Sequence, residues 1–550
     1  MTPPALAARS APRSDPQRYS RWRATVLIGV HVLIGLHIAH WMIAGRSLAP
    51  LELNELMYTL EAGIVTAGVL LMAAVALSVA VFGRFFCSWA CHMLALQDLA
   101  AWLLARVGIS AKPVRSRVLR VAPFVALFYM FVWPQLARLA RGEPLPRLRV
   151  ASSSEPWSSF VTEDFWRNLP GPWIAGLTFA ICGFAIVYLL GSRAFCANAC
   201  PYGAAFGLLD RIAPGRIVAK GDCTNCGMCT AVCQSGVRVH EEVQRFGKVV
   251  DANCLKDMDC VAVCPEQALG FGFRVPAIFV RKERGAEDRS PSRASLAEDL
   301  LAGTVAIATL LAFRGLYDAV PFLMSLGLGV TFAWLAVLTR RLMTRDHMVF
   351  RGLTLRRGGH IAPAGRVLGG LAAAAGLLTL HSGFVRYHEY RGDLAYQDTR
   401  IAVQRRDAAA VRQHVQDAIA HLETCASYGL LVPIEVDRRL ADVHAYGPSP
   451  ERTLIHLGRV LDADPAAHEA RLRRCFRLIH DGRLDEAERD LALVDTAAAA
   501  PPGRAKEDGL LAHCVLAHER LAAAHAASGQ DGRALEHRRR IESLRAARSQ

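Results

Sequence analysis

The 550-residue sequence contains no zinc finger and no basic groove interleaved with aromatic residues, so its net charge of +15 does not read as a nucleic-acid surface. It has no convincing cleavage site after its first apolar run, Ala24–Ala44, and that run is too long for a signal-peptide core. The run therefore reads as an uncleaved membrane helix. Cysteine is scarce outside one region: of fifteen, twelve lie from Cys87 through Cys264. Tight grouping of that kind in a long chain speaks for metal ligation and against a disulfide framework.

What the chain has in quantity is apolar sequence. Hydrophobic residues make up 52% and mean hydropathy is +0.22, high for a soluble enzyme and ordinary for a membrane protein with soluble parts. Beyond the first run, Ala62–Val81, about 118–137, Trp173–Leu190, about 299–316, about 319–338 and Val367–Phe384 are long enough to cross or nearly cross a bilayer. Pro123 and Pro134 weaken the third, and Arg314, Tyr317 and Asp318 join the fifth and sixth closely enough for a helical hairpin.

Arginine and lysine orient the spans. Arg9, Arg13, Arg18, Arg21 and Arg23 precede the first. Arg84, Arg106, Lys112, Arg115 and Arg117 follow the second, and Arg340, Arg341, Arg345, Arg351, Arg356 and Arg357 follow the sixth. The loop from Leu51 to Glu61 carries Glu52, Glu55 and Glu61 and no basic residue. With seven spans these segments share one face. The expectation is a bacterial inner-membrane protein with its N-terminus in the cytoplasm and residues 386–550 in the periplasm.

The fold class expected is a polytopic α-helical membrane protein of about seven transmembrane helices with an inserted ferredoxin-like α+β segment and an all-α tail. Residues 1–23 read as a disordered basic terminus and 24–191 as a four-helix membrane region holding the first C-x3-C motif. Residues 192–275 hold the second such motif and the cluster-binding segment, 276–298 a linker, 299–385 three more membrane helices, and 386–550 a soluble helical domain. In that domain Gly482–Ala487 and Gly529–Ala534 each place a turn glycine before an alanine, as a tetratricopeptide-like helical repeat would. A plain helical bundle is the alternative.

The strongest chemical signal is Cys223-Thr-Asn-Cys226-Gly-Met-Cys229-Thr-Ala-Val-Cys233, followed by Cys254-Leu-Lys-Asp257-Met-Asp-Cys260-Val-Ala-Val-Cys264-Pro265. Three thiolates at x2 spacing can wrap one iron–sulfur cubane, and in this bacterial ferredoxin run the fourth cysteine serves the other cluster. Cys223, Cys226, Cys229 and Cys264 are thus expected to hold one [4Fe–4S] cluster, and Cys233, Cys254 and Cys260 a second. Asp257 stands where the second half should have a cysteine. The carboxylate completes that site as a weaker ligand, or the corner carries water or lacks its iron.

Two further pairs, Cys87/Cys91 and Cys196/Cys200, lie just past the second and fourth apolar runs in similar settings, Gly83-Arg-Phe-Phe-Cys87-Ser-Trp-Ala-Cys91-His92 and Arg193-Ala-Phe-Cys196-Ala-Asn-Ala-Cys200-Pro201. Read on one helix, each pair has Cβ atoms about 5–6 Å apart. A disulfide needs about 3.5–4.5 Å, which leaves a shared third metal site or a set of redox-active or buried thiols.

In these motifs the chain resembles the membrane polyferredoxins: the quinol-dehydrogenase ferredoxin of periplasmic nitrate reduction, the nitrous-oxide-reductase accessory protein and the cytochrome-oxidase assembly ferredoxin. The resemblance covers about residues 20–275. It implies electron transfer between a quinone or cytoplasmic donor and a redox partner protein. A second reading is a maturation or regulatory factor that reduces a metal or thiol for a respiratory metalloenzyme. His92, Asp257 and the tail depart from the family pattern, and the tail is the expected seat of a further protein partner. His31, His37, His40 and His381 lie in membrane helices, where haem ligation, a quinone hydrogen bond and neutral packing compete. Cys182, Cys425, Cys475 and Cys514 read as isolated buried thiols, with one tail disulfide as the alternative.

Overall fold

The computed structural model describes residues 15–51, 55–109, 111, 113–114, 117–152, 158–162, 171–280, 295–447, 449–498 and 505–548. Residues 1–14 of the basic terminus and 281–294 of the expected linker lie outside the described residues.

Among the described residues, six helices are long and apolar enough to cross a membrane: Arg18–Ala44, Val121–Ala140, Pro172–Leu190, Leu296–Phe313, Phe322–Thr344 and Pro363–Gln404. The shorter apolar helix Ala67–Phe82 corresponds to the second expected run. Burial separates two kinds of span. The most apolar stretch of Arg18–Ala44 is only 6% buried, whereas that of Phe322–Thr344 is 72% buried. An apolar helix that protein leaves uncovered needs lipid around it, because its backbone is already satisfied and its side chains are not. The helix Phe322–Thr344 instead forms the core of the bundle, with Val330, Ala333, Trp334 and Leu338 packed against Ile186, Leu189 and Leu190 of the fourth span.

The two prolines of the third span have a local consequence. Pro123 lies inside the helix Arg117–Leu127 and Pro134 near the start of Trp133–Ala140, and between them Phe128–Val132 winds as a π-helix. A proline lacks the N–H that would bond one turn back, and widening the turn re-registers the ladder around the gap.

Leu296–Phe313 and Phe322–Thr344 form the expected hairpin through a turn at Tyr317, whose φ is +59°. Ser295 and Glu298 make a reciprocal capping box at the start of the first helix, and the same Glu298 carboxylate takes Arg341 of the second at 2.8 Å. The arginine-rich stretch after the hairpin holds a three-stranded antiparallel sheet of Met348–Phe350, Leu353–Arg357 and His360–Ile361. Arg356 explains its position there. Nη1 donates to the carbonyls of Leu342 and Met343, both at 2.9 Å, and so caps the helix Phe322–Thr344.

Two compact units emerge, Met1–Arg314 with Ala319–Leu377, and Gly315–Asp318 with Leu378–Gln550. The helix Pro363–Gln404 is continuous, since no proline follows Pro363 within it. In the second unit each helix packs on the next from Ala408–Tyr428 to Asp531–Arg548. Gly482 and Gly529 both take φ +74° at their turns, a left-handed conformation that favours glycine, and Ala487 and Ala534 are buried as the Gly–Ala pattern requires.

Candidate metal centre

The strands Gly215–Ala219 and Leu269–Phe273 pair antiparallel, Gly215 opposite Phe273 and Ala219 opposite Leu269, and so clamp the ends of the cysteine-rich segment together. Between them hang two loops of one shape. Asn225 and Gly227 take φ +58° and +73° after Cys223; Lys256 and Met258 take φ +55° and +66° after Cys254. In each loop the left-handed residues stand second and fourth after the leading cysteine. Alternation of this kind turns successive backbone N–H groups inward and makes a concave cradle for an anionic group. Asp257 sits between Lys256 and Met258 as Cys226 sits between Asn225 and Gly227. It thus occupies the conformational place of a cysteine, and it is buried. One carboxylate oxygen accepts from the Asp259 N–H at 3.4 Å.

The sulfurs sort into two neighbouring groups. Cys223, Cys226, Cys229 and Cys264 line one recess with Gly227 and His240. Burial pushes the Cys233 thiol up to about 12, with Asp257 and Cys254 adding to the shift. Burial likewise raises Cys260 well above its usual value, followed by Asp257, Cys254, Cys233 and Cys229. Cys233 therefore stands with the second loop and Cys264 with the first. Cys229 packs in one cluster with Cys254 and Cys260, so the two groups are neighbours.

The other four cysteines converge as well, but not as pairs on single helices. Cys87 lies in the short helix Phe85–Trp89, which ends at Ala90; Cys91 caps the next helix, His92–Arg106. Cys196 lies in Ala194–Asn198, and Cys200 caps Pro201–Ile212. Each C-x3-C thus turns a corner, which corrects the single-helix picture. Pro201 explains the second break, because its ring cannot continue the preceding helix. His92 has no such constraint, yet the corners match: Cys91 has φ −76° and ψ 119°, Cys200 φ −73° and ψ 116°. The missing proline therefore does not alter the first motif. Gly203 is required by this packing, since a Cβ there would come within 2.5 Å of the Cys196 carbonyl oxygen.

Cys87, Cys91, Cys196 and Cys200 share one cluster of packed side chains. Burial, then Cys196 and Cys87, push the Cys91 thiol up to about 12. Buried thiols this crowded ionise only when a cation compensates them. Among the described residues no three cysteine sulfurs come within 4.8 Å of one another. A single tetrahedral zinc, with Zn–S about 2.3 Å, would draw four sulfurs to about 3.8 Å. Among the described residues none of the three cysteine groups is drawn in as tightly as such a zinc site. The donors around the corner motifs fit an anionic occupant. Arg84 lies beside Cys87 and Cys196 with Nε and Nη2 buried and otherwise unbonded, and Gln97 Nε2 donates to Cys196 Sγ at 3.4 Å.

A buried ionic scaffold ties these groups together, and sequence reading missed it. Asp210, fully buried, receives Arg216 at 2.9 Å and also Lys256 of the second loop. Arg23 reaches Asp98 at 3.3 Å, Asp259 at 3.1 Å and the Asp257 carbonyl at 3.2 Å, and Arg193 meets Asp98 at 2.7 Å. Trp89, between Cys87 and Cys91, donates from Nε1 to the Lys256 carbonyl at 3.1 Å. Arg23 had counted only toward orientation. Gln97 and Asp98 within an otherwise apolar helix were the available signal.

The membrane histidines make local bonds. His31 meets the Leu27 carbonyl at 2.9 Å, His37 that of Leu48 at 3.1 Å, His40 the Ser47 hydroxyl at 3.4 Å, and His381 the Tyr428 carbonyl at 3.0 Å. These bonds account for one ring nitrogen of each. Cys182 is buried with its Sγ 3.7 Å from the Leu323 carbonyl, and Cys425, Cys475 and Cys514 are buried free thiols.

Comparison with known proteins agrees with this geometry. A 4Fe-4S binding domain model matches residues 64–110 and again 172–219, one match per C-x3-C corner, and a 4Fe-4S dicluster domain model matches 222–269. The methylamine utilization ferredoxin-type protein MauN of Methylobacillus flagellatus is 30% identical over 154 residues, 28% of this chain and 48% of that protein. The ferredoxin-type protein NapH of Haemophilus influenzae is 26% identical over 215 residues, covering 37% of this chain and 67% of its own. The putative electron transport protein YccM of Escherichia coli is 25% identical over 235 residues, 41% and 62% respectively. The chain thus spans about half the length of the first of these relatives. No solved structure matches it.

Proposed function

We propose that this chain, which belongs to the membrane polyferredoxins, relays electrons between a quinone or cytoplasmic donor and a redox partner protein. The observation that carries the reading is the joining of the corner cysteines to the second loop by Trp89, Lys256, Asp210 and Arg23, with Cys229 of the first loop packed in one cluster with Cys254 and Cys260 of the second. In this reading Cys223, Cys226, Cys229 and Cys264 hold one [4Fe–4S] cluster, and Cys233, Cys254, Cys260 and Asp257 a second. Cys87, Cys91, Cys196 and Cys200 hold a third. Bound clusters supply one-electron transfer, and the protein sets their potential through ligand type, burial and hydrogen bonds. Arg84 and Gln97 favour the more negative state of whatever the corner cysteines bind, while the cradle N–H groups do the same for the two loops. Sustained reduction by a quinol analogue in membranes tests the donor side. Absence of turnover with quinol, together with reduction by a soluble ferredoxin or flavodoxin-type donor, would assign the entry point to the cytoplasm.

Asp257 gives the reading a sharper edge. Because it holds a cysteine's place in the loop, Asp257→Cys needs no rearrangement of the backbone. The variant is expected to lose its second cluster in air severalfold more slowly and to shift that cluster's midpoint potential, as a soft thiolate replaces a hard carboxylate. Anaerobic redox titration followed by electron paramagnetic resonance reads both. Identical signals in the variant and the parent would mean that Asp257 points away from the iron.

The arginine distribution supports a cytoplasmic cysteine segment and a periplasmic, tetratricopeptide-like tail that meets envelope partners. Alkaline phosphatase fused near Ser290 should be silent and fused after Gln550 active. Activity at Ser290 contradicts the orientation, whereas silence at Gln550 alone removes one span from the count.

A further inference from the structure

The C-terminal unit brings together a group of metal-ligating side chains unrelated to the cysteines. Glu488 comes from the helix Leu484–Ala498, His525 from Ala505–Ala527 and His537 from Asp531–Arg548. One donor atom of each lies within 4.8 Å of the other two. Glu488 Oε1 is 2.8 Å from His525 Nε2 and 3.1 Å from His537 Nε2. The two rings stack at 13° with centroids 5.6 Å apart, so both present the same edge to the carboxylate.

The outer hydrogen bonds fix where the protons are. His525 Nδ1 lies 2.7 Å from Gln530 Oε1, an acceptor, so Nδ1 carries the proton and Nε2 the lone pair. On the other side Asp495, paired with Arg540 at 3.0 Å, can only accept, so His518 donates to it from Nε2 at 3.0 Å. His518 Nδ1 and His537 Nδ1 share one proton across 2.8 Å, and His537 Nε2 meets Glu488 Oε1 at hydrogen-bond distance, 3.1 Å. The His525 lone pair therefore faces a carboxylate oxygen inside the domain, and His537 closes on the same oxygen; a cation between them would take the lone pair and the carboxylate directly and His537 Nε2 in place of its proton. The geometry at His525 agrees. This ring is fully buried, and its Nε2, though 2.8 Å from the carboxylate, makes no hydrogen bond. Arg533 approaches the other carboxylate oxygen, Oε2, at 3.7 Å and leaves Oε1 to the histidines.

We infer that Glu488, His525 and His537 form a binding site for a divalent zinc-class ion that pins the last three helices of the C-terminal unit together. Two imidazoles and a carboxylate are a borderline donor set suited to Zn2+, and three protein ligands leave a fourth position for water or a partner's side chain. Gln530, His518 and Asp495 are the outer partners that hold the ligand rings in place. The site is independent of the iron–sulfur reading.

The test uses the full chain in detergent, isolated anaerobically, stripped with a chelator that leaves the iron in place, and titrated with Zn2+ alone against a chromophoric competitor. The parent and a His480→Gln control, altered at an exposed histidine, are expected to take up one zinc that Glu488→Gln and His525→Gln do not. His518→Gln is expected to weaken that zinc by about 10–100-fold, with iron content unchanged throughout. Zinc-edge X-ray absorption of the parent should show nitrogen and oxygen neighbours with imidazole scattering and no sulfur, a readout that does not depend on any variant folding. Equal uptake by parent and ligand variants, no uptake by the parent, or a sulfur shell overturns the site.

Discussion

Replacing Cys91 and Cys200 together by serine is expected to remove about a third of the iron from the anaerobically isolated protein, a fall from roughly twelve atoms to roughly eight per chain. The two loops of the 215–273 segment should keep their signals in electron paramagnetic resonance. Both replaced residues cap helices at matching corners, and both sulfurs face Cys87 and Cys196 within one packed group. Serine preserves the cap and the volume but is a poor iron ligand, so the loss is chemical and the bundle should stay folded. Iron, sulfide and resonance spectra measured on the same sample decide it. If the double variant retains its full iron, the four corner cysteines are buried thiols and the third cluster does not exist.

Asp210→Asn should have the largest structural effect. Asp210 is the shared anion for Arg216 and Lys256, all three of them buried, and it also accepts the Arg84 N–H at 3.3 Å. An amide keeps the shape and withdraws the charge, leaving one guanidinium and one ammonium group in the interior with no counter-ion. Removing one partner of a buried ion pair costs about 3–5 kcal/mol, which for a body of this size is a fall of roughly 4–6 °C in the temperature at which it unfolds. Lys256 belongs to the second loop, so cluster absorbance at visible wavelengths should be lost in the same transition as helical circular dichroism. A variant as stable as the parent would show that the scaffold is not what binds the loop to the membrane bundle.

Much of the architecture could be read from residue order. The apolar runs correspond to the observed long or near-long helices, because such helices depend on local periodicity. The Gly–Ala pattern at 482 and 529 likewise marked turns that take left-handed glycines. Other features depend on partners far away in sequence. The corner at each C-x3-C could not be read at His92, where no proline announces it. Asp210, Arg23 and Asp98 act through residues as distant as Asp259, and no local pattern marks such a pairing. The sheet around Arg356 was hidden by its own charge, which reads as a solvated loop until the carbonyls of Leu342 and Met343 are seen to use it. The unbroken helix Pro363–Gln404 was hidden by a change of composition without a change of structure.

The three cysteine groups are expected to bind iron–sulfur clusters and not zinc or one another. Anaerobic isolation of the full chain, with metal and acid-labile sulfide counted together and a redox titration followed by electron paramagnetic resonance, tests it most directly. The expected result is roughly twelve irons per chain, or about one fewer if Asp257 leaves a corner without iron, with sulfide in near-equal amount and reducible low-potential signals. Iron near zero, with zinc in the cysteine sites or the cysteines joined as disulfides, would contradict it.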